Sequence, residues 1–150
     1  MKEIEPNFHA LIGGFIHQCG AIELLINAAI KNYCPEEILV TEVVKLPLFK
    51  RLNILKRALK ERTEIEHPKI DLLFKDLDEL RLERNKVAHN PILLSSLGET
   101  EGGEIHVVRF KSDCSNDERI NKERMHELAC ASGAALRRLS ELIPYEKRNI

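Results

Sequence analysis

The stretch from Phe8 to Tyr33 limits what this chain can fold into more than any other. Apolar side chains at Phe8, Leu11, Ile12, Phe15, Ile16, Cys19, Ile22, Leu25, Ile26, Ala29 and Ile30 recur at helical spacing and cover most of the circumference. A helix that is apolar nearly all round is either central to a bundle or lies at a subunit interface. The same stretch is long enough to raise the question of a membrane, but it carries His9, His17, Gln18, Glu23, Asn27 and Lys31. A carboxylate near the middle of a span costs ~2.5–3.5 kcal/mol or more. The reading is therefore a buried helix of a soluble protein with no membrane partner. Asn7 is placed to cap it, and Pro35 to end it.

Three more helices follow from periodicity. Leu48, Leu52, Leu55 and Leu59 mark a second within Lys45 to Thr63. Lys45, Lys50, Arg51, Lys56, Arg57, Lys60 and Arg62 crowd the same stretch, opposed only by Glu61, and read either as a solvated face or as a stripe that attracts phosphate. A third helix starts near Pro68, a good first-turn residue, and runs to about Asn90 before Pro91. A last one runs from Asn121 to Ile143, with Leu128, Ser132, Ala135, Leu136, Leu139 and Ile143 as its inner face. Its small residues from Ala129 to Ala135 would let a neighbouring helix approach closely. Between these two helices, Gly98 to Gly103 and the β-formers from Ile105 to Phe110 predict a small β-hairpin insertion over about 92–111. The fold class is all-α, a bundle of four to five helices.

At 150 residues the chain is expected to form one domain with a core that needs no staples. A net charge of −1 gives no global basic field, so a nucleic-acid function would need a local patch. Cys19, Cys34, Cys114 and Cys130 lack Cys-x-x-Cys spacing and read as reduced thiols filling the core of a cytoplasmic protein. The histidines show no metal-ligand spacing, and no phosphate-binding loop or dinucleotide fingerprint is present, so neither metal nor cofactor is expected. Two Tyr and no Trp leave little material for an aromatic stacking platform.

The third helix carries the most chemistry. With Arg84 at 0° and about 100° per residue, Leu73, Leu77, Leu80, Val87 and Ala88 fall within about 60° of it. Arg84 thus sits in the apolar stripe, where a permanent cation must find an anion or water. Asn85 and His89, four residues apart, share a face at the edge of that stripe. Glu23 is the only acidic residue from Phe8 to Ile30, and its simplest partner is Arg84 across a helix–helix contact. Such a pair would serve either register or chemistry.

The string Glu83-Arg84-Asn85-Lys86-Val87-Ala88-His89-Asn90 resembles the signature of the HEPN superfamily, an α-helical group with many RNA-cleaving members. The family motif is Arg, four to six residues, then His, often with Asn directly after the Arg. Arg84, Asn85 and His89 match it. An extended pattern adds an acidic residue five positions before the Arg, met by Glu79, and a Lys just before it, where this chain has Glu83. The architecture is similar too: a long apolar first helix, the motif late in the third, an insertion and a closing helix.

The resemblance implies a HEPN-like up-and-down bundle acting as a metal-independent endoribonuclease. His89 would move the proton of the 2′-OH or of the leaving 5′-oxygen. Arg84 would stabilise phosphorane charge, and Asn85 would orient the imidazole or bond a phosphate oxygen. Glu23 and Glu79 would support the site. Lys50, Arg51, Lys56, Arg57, Lys60 and Lys86 would meet RNA. Since one His cannot easily be both acid and base, a homodimer is implied, with two motifs facing one cleft. The family setting also suggests a toxin or phage-defence role with an antitoxin or regulatory protein. In some members that regulator modifies a Tyr two residues after the His; here that residue is Pro91. Other members are non-catalytic modules that bind a protein or nucleotide, which is the alternative reading.

Overall fold

The computed structural model describes residues 6–33, 37–62, 64–89, 92–93, 105–108, 117–120 and 122–142. Helices dominate them. They are α1 (Pro6–Tyr33), α2 (Glu37–Val43), α3 (Leu48–Arg62), α4 (His67–His89) and α5 (Lys122–Leu142). Three short strands lie between α4 and α5: β1 (Ile92–Leu93), β2 (Ile105–Val108) and β3 (Asp117–Ile120). They pair antiparallel in the order β1-β2-β3, with Ile92 opposite Val107 and Ile105 opposite Ile120. The pairing thus reaches past the end expected for the insertion at 111. Its Gly98–Gly103 tip, like Pro35, Asn90, Pro91, Asn121 and Ile143, lies outside the described residues.

Local chemistry explains the helix starts. The Pro47 carbonyl accepts from Lys50 N at 2.9 Å and Arg51 N at 3.2 Å, so α3 begins after the proline and not at Lys45. The Glu66 carbonyl does the same for Lys69 N and Ile70 N, and Pro68 occupies the first turn, where a missing N–H costs nothing. The segment before Pro47 folds separately as α2, with Val40 and Val43 buried.

One core joins the helices. Phe15, Ile22, Ile26, Ala29 and Ile30 of α1 meet Leu52, Leu55 and Leu59 of α3, Ile70, Leu73, Phe74, Leu77, Leu80 and Val87 of α4, and Met125, Leu128, Ala135 and Leu139 of α5. α1 and α5 share the most extensive contact. Small residues permit it: a Cβ on Gly133 would lie 3.3 Å from Gln18 Nε2. The fully buried Ser132 hydroxyl reaches Gln18 Oε1 and the Ala129 carbonyl. By length and composition alone, Ala10–Tyr33 of α1 is also long and apolar enough to cross a membrane, a property that the core helix of a soluble protein shares. Leu24 on its outer side is 71% exposed.

The residues touching across α3 and α4 fix their direction. Lys56 and Lys60, late in α3, meet Asp71, early in α4. Leu48 and Leu52, early in α3, meet the region of Leu77, Leu80 and Arg84, later in α4. The two helices therefore run antiparallel, as the short connection between them requires. This brings the first turn of α3 beside the motif-bearing end of α4.

Candidate functional site

At that end α1, α3 and α4 border a small, partly open cleft of about 20 Å³. Ile22 and Ile26 of α1, Leu48 and Leu52 of α3, and Leu77 and Leu80 of α4 form its apolar walls. Cys19, Glu23, Arg81 and Arg84 supply the polar atoms. The wheel's placement of Arg84 toward the apolar stripe agrees with this half-buried position, although Ala88, expected on the same stripe, is exposed.

Arg84 and Glu23 both line the cleft, but the expected pair is not the one that forms. Glu23 Oε1 accepts from Arg51 Nη2. Arg51 Nη1 also donates to Asn27 Oδ1 at 2.5 Å, and Nε to the Leu46 carbonyl at 2.9 Å. Arg51 is only 7% exposed. It was expected on an RNA-facing stripe, yet it points inward and ties α3 to α1. Periodicity carries the reason: Arg51 stands three residues after Leu48 and four before Leu55, on the apolar face of α3. Its proximity to Glu23 in space is what no single-helix wheel displays.

Arg84 is left without a carboxylate partner among the described residues. Its Nη1 lies 3.3 Å from Asn85 Oδ1, which accepts from it. Its positive charge also reaches Cys19: burial pushes that thiol up to about 11, and the guanidinium pulls it partly back down. His89 is the last residue of α4 and is exposed. It follows Asn85 by one turn, about 6 Å along the axis and about 40° around it. Arg84 and His89 are about 140° apart around the same axis. Arg84 thus lines the cleft, while His89 is exposed at the last position of α4, on another side of the helix.

The remaining expected site residues divide. Glu79 is exposed, 3.9 Å from Lys75, and takes no part with Arg84. Lys56 and Lys60 both bind Asp71 Oδ1 at 2.7 Å, and their hydrogen bonds hold that carboxyl down at about 2. Lys86 pairs with Glu83 at 3.2 Å. Lys50 and Arg57 are exposed and form no ion pair among the described residues. Of the six basic residues expected to meet RNA, Arg51 is buried in the fold, three are tied to carboxylates, and two are open. Arg81, not foreseen, joins the cleft, with Nε held by Asp78 Oδ1 at 2.7 Å.

The cysteines also depart from expectation in part. Cys19 is half-buried beside the core, but Cys130 is exposed on α5, 3.7 Å from His126 Nδ1. Cys34 and Cys114 lie outside the described residues. Among the described residues no group of three or more His, Cys, Asp or Glu side chains is arranged to hold a metal ion. No family model, no curated protein and no solved structure matches this chain.

Proposed function

We propose that this chain is a metal-independent endoribonuclease with a HEPN-like bundle, acting as a cytoplasmic homodimer. The observation that carries the reading is the state of Arg84. The carboxylate expected to neutralise it pairs with Arg51, so among the described residues this cleft-lining cation has no carboxylate partner. An exposed imidazole closes the same helix. A fixed cation and an imidazole on the last turns of one helix suit a phosphodiester whose nucleophile is built in.

In the proposed reaction an imidazole takes the proton of the 2′-OH, and the 2′-oxygen attacks the adjacent phosphorus. The phosphorus–5′-oxygen bond breaks, and a second imidazole protonates the departing oxygen. The products are a 2′,3′-cyclic phosphate and a 5′-hydroxyl. Arg84 steadies the charge on the equatorial oxygens, with Asn85 holding the guanidinium or a phosphate oxygen. The second imidazole is His89 of another copy, which is why the reading requires a dimer. It also places the chain in a toxin or phage-defence setting with a cognate regulatory protein.

The test is cleavage of single-stranded RNA in excess chelator by wild type, His89→Ala and Arg84→Ala, with helical content followed by circular dichroism. Cleavage by wild type and a loss of at least a hundredfold in each folded variant is expected. Absence of cleavage by wild type rejects the nuclease and favours a non-catalytic HEPN-like module that binds a protein or nucleotide.

A further inference from the structure

Beside the cleft, on the first turn of α3, Phe49 keeps 43% of its surface exposed. Its neighbour in sequence, Leu48, forms part of the cleft wall. Arg81 Cζ lies 5.8 Å from the centroid of the Phe49 ring, and Lys50 Nζ lies 6.0 Å from it. Arg81 is itself a cleft residue, anchored by Asp78. It precedes Arg84 by three residues, about 4.5 Å along the axis of α4. The aromatic ring, the two cations over it and Arg84 thus lie on neighbouring turns of α3 and α4 beside the cleft.

A phenyl ring left in water gains by covering its face, and every nucleobase offers a planar partner of matching size. Arg81 and Lys50 lie over the ring, and once a base takes the place of one of them they meet the phosphates on either side of that base. From this arrangement we infer that Phe49 is the stacking platform for an unpaired nucleobase of single-stranded RNA, next to the phosphate held by Arg84. The inference rests on the ribonuclease reading and adds a binding subsite to it. Arg81, fixed by Asp78, stays against the ring. Lys50 sits at the ~6 Å limit of cation–π attraction on a solvent-exposed side chain, so it yields to the base and turns to the adjoining phosphate. A base inside a duplex keeps its faces stacked on its neighbours, so the subsite selects unpaired strands.

The experiment is fluorescence anisotropy of the full chain with a 2′-O-methyl RNA oligomer, which keeps bases and phosphates but lacks the attacking hydroxyl. Phe49→Leu keeps apolar bulk without the π-face and is expected to weaken binding about tenfold. Phe49→Trp is expected to bind at least as tightly as wild type. Oligomers with a single abasic nucleotide, moved along the strand, should include one position where wild type loses the same factor and Phe49→Leu loses nothing further. If Phe49→Leu binds like wild type while Arg84→Ala binds more weakly, the stacking subsite is overturned and the nuclease reading stands. If wild type binds none of the oligomers, the subsite is overturned together with that reading.

Discussion

Arg51 reaches from α3 to α1 and donates through Nη2 to Oε1 of Glu23, in the wall of the cleft that Arg84 also lines. Two further bonds, to Asn27 Oδ1 and the Leu46 carbonyl, engage its Nη1 and Nε as well. The side chain is 8% exposed and that of Glu23 36%. The pair thus ties α1 to α3 and engages the carboxylate that the helical wheels had offered to Arg84.

Removing one partner of a fully buried pair costs about 3–5 kcal/mol, because the other charge is left without compensation. Glu23 keeps access to water, so the expected cost of Arg51→Met is smaller, about 1–3 kcal/mol in urea unfolding. Glu23→Gln leaves the more deeply buried guanidinium without its counter-charge and is expected to cost at least as much as Arg51→Met. Equal stability of Arg51→Met and wild type would contradict the structural role given to the pair.

Asp71 gives a pH signature. Hydrogen bonds from Lys56 and Lys60 lower its carboxyl from 3.8 to about 2. A folded-state value below the unfolded one stabilises the fold above the unfolded value, and the contribution disappears as pH falls through the folded one. The stability difference between wild type and Asp71→Asn is therefore expected to be constant above about pH 5 and to shrink steadily as pH falls from there to about 2. Thermal melts from pH 2 to 7 measure it. A difference that grows on acidification would contradict the assignment.

The thiols separate by environment. Burial raises Cys19 to about 11, so almost none of it is thiolate near neutral pH, while Cys130 stands exposed. Iodoacetamide at pH 8, with peptide mapping by mass spectrometry, is expected to modify Cys130 well before Cys19. Because Arg84 favours the thiolate, Arg84→Gln should slow Cys19 further. Alkylation of Cys19 as fast as Cys130 would show that the cleft wall is more open than its burial implies.

Much of the helical frame was legible because long amphipathic segments repeat their pattern many times. α4 begins within a residue of the proline that signalled it, and α5 buries Leu128, Ser132, Ala135 and Leu139 as its spacing required. α2 escaped because seven residues complete barely two turns and present no sustained period. The half-buried position of Arg84 was legible in its helical wheel, but the pairing of its neighbours was not. A wheel places Glu23, Arg51 and Arg84 on faces of their own helices, and only packing decides which two meet. The basic stripe misled for the same reason, since composition counts Lys56 and Lys60 as charges and does not see Asp71 across the helix pair. Phe49 was hidden by its type: a lone Phe among leucines reads as core until its exposure is known.

The chemistry assigned to the Arg84–His89 end of α4 is tested most directly by the ends of cleaved RNA. Wild type in chelator is expected to release fragments ending in 2′,3′-cyclic phosphate, seen by mass spectrometry. Replacing the 2′-OH at a mapped cut by hydrogen should abolish that cut alone, and His89→Ala should produce none. Persistent cleavage at the 2′-deoxy position, or full activity of His89→Ala, would contradict the account.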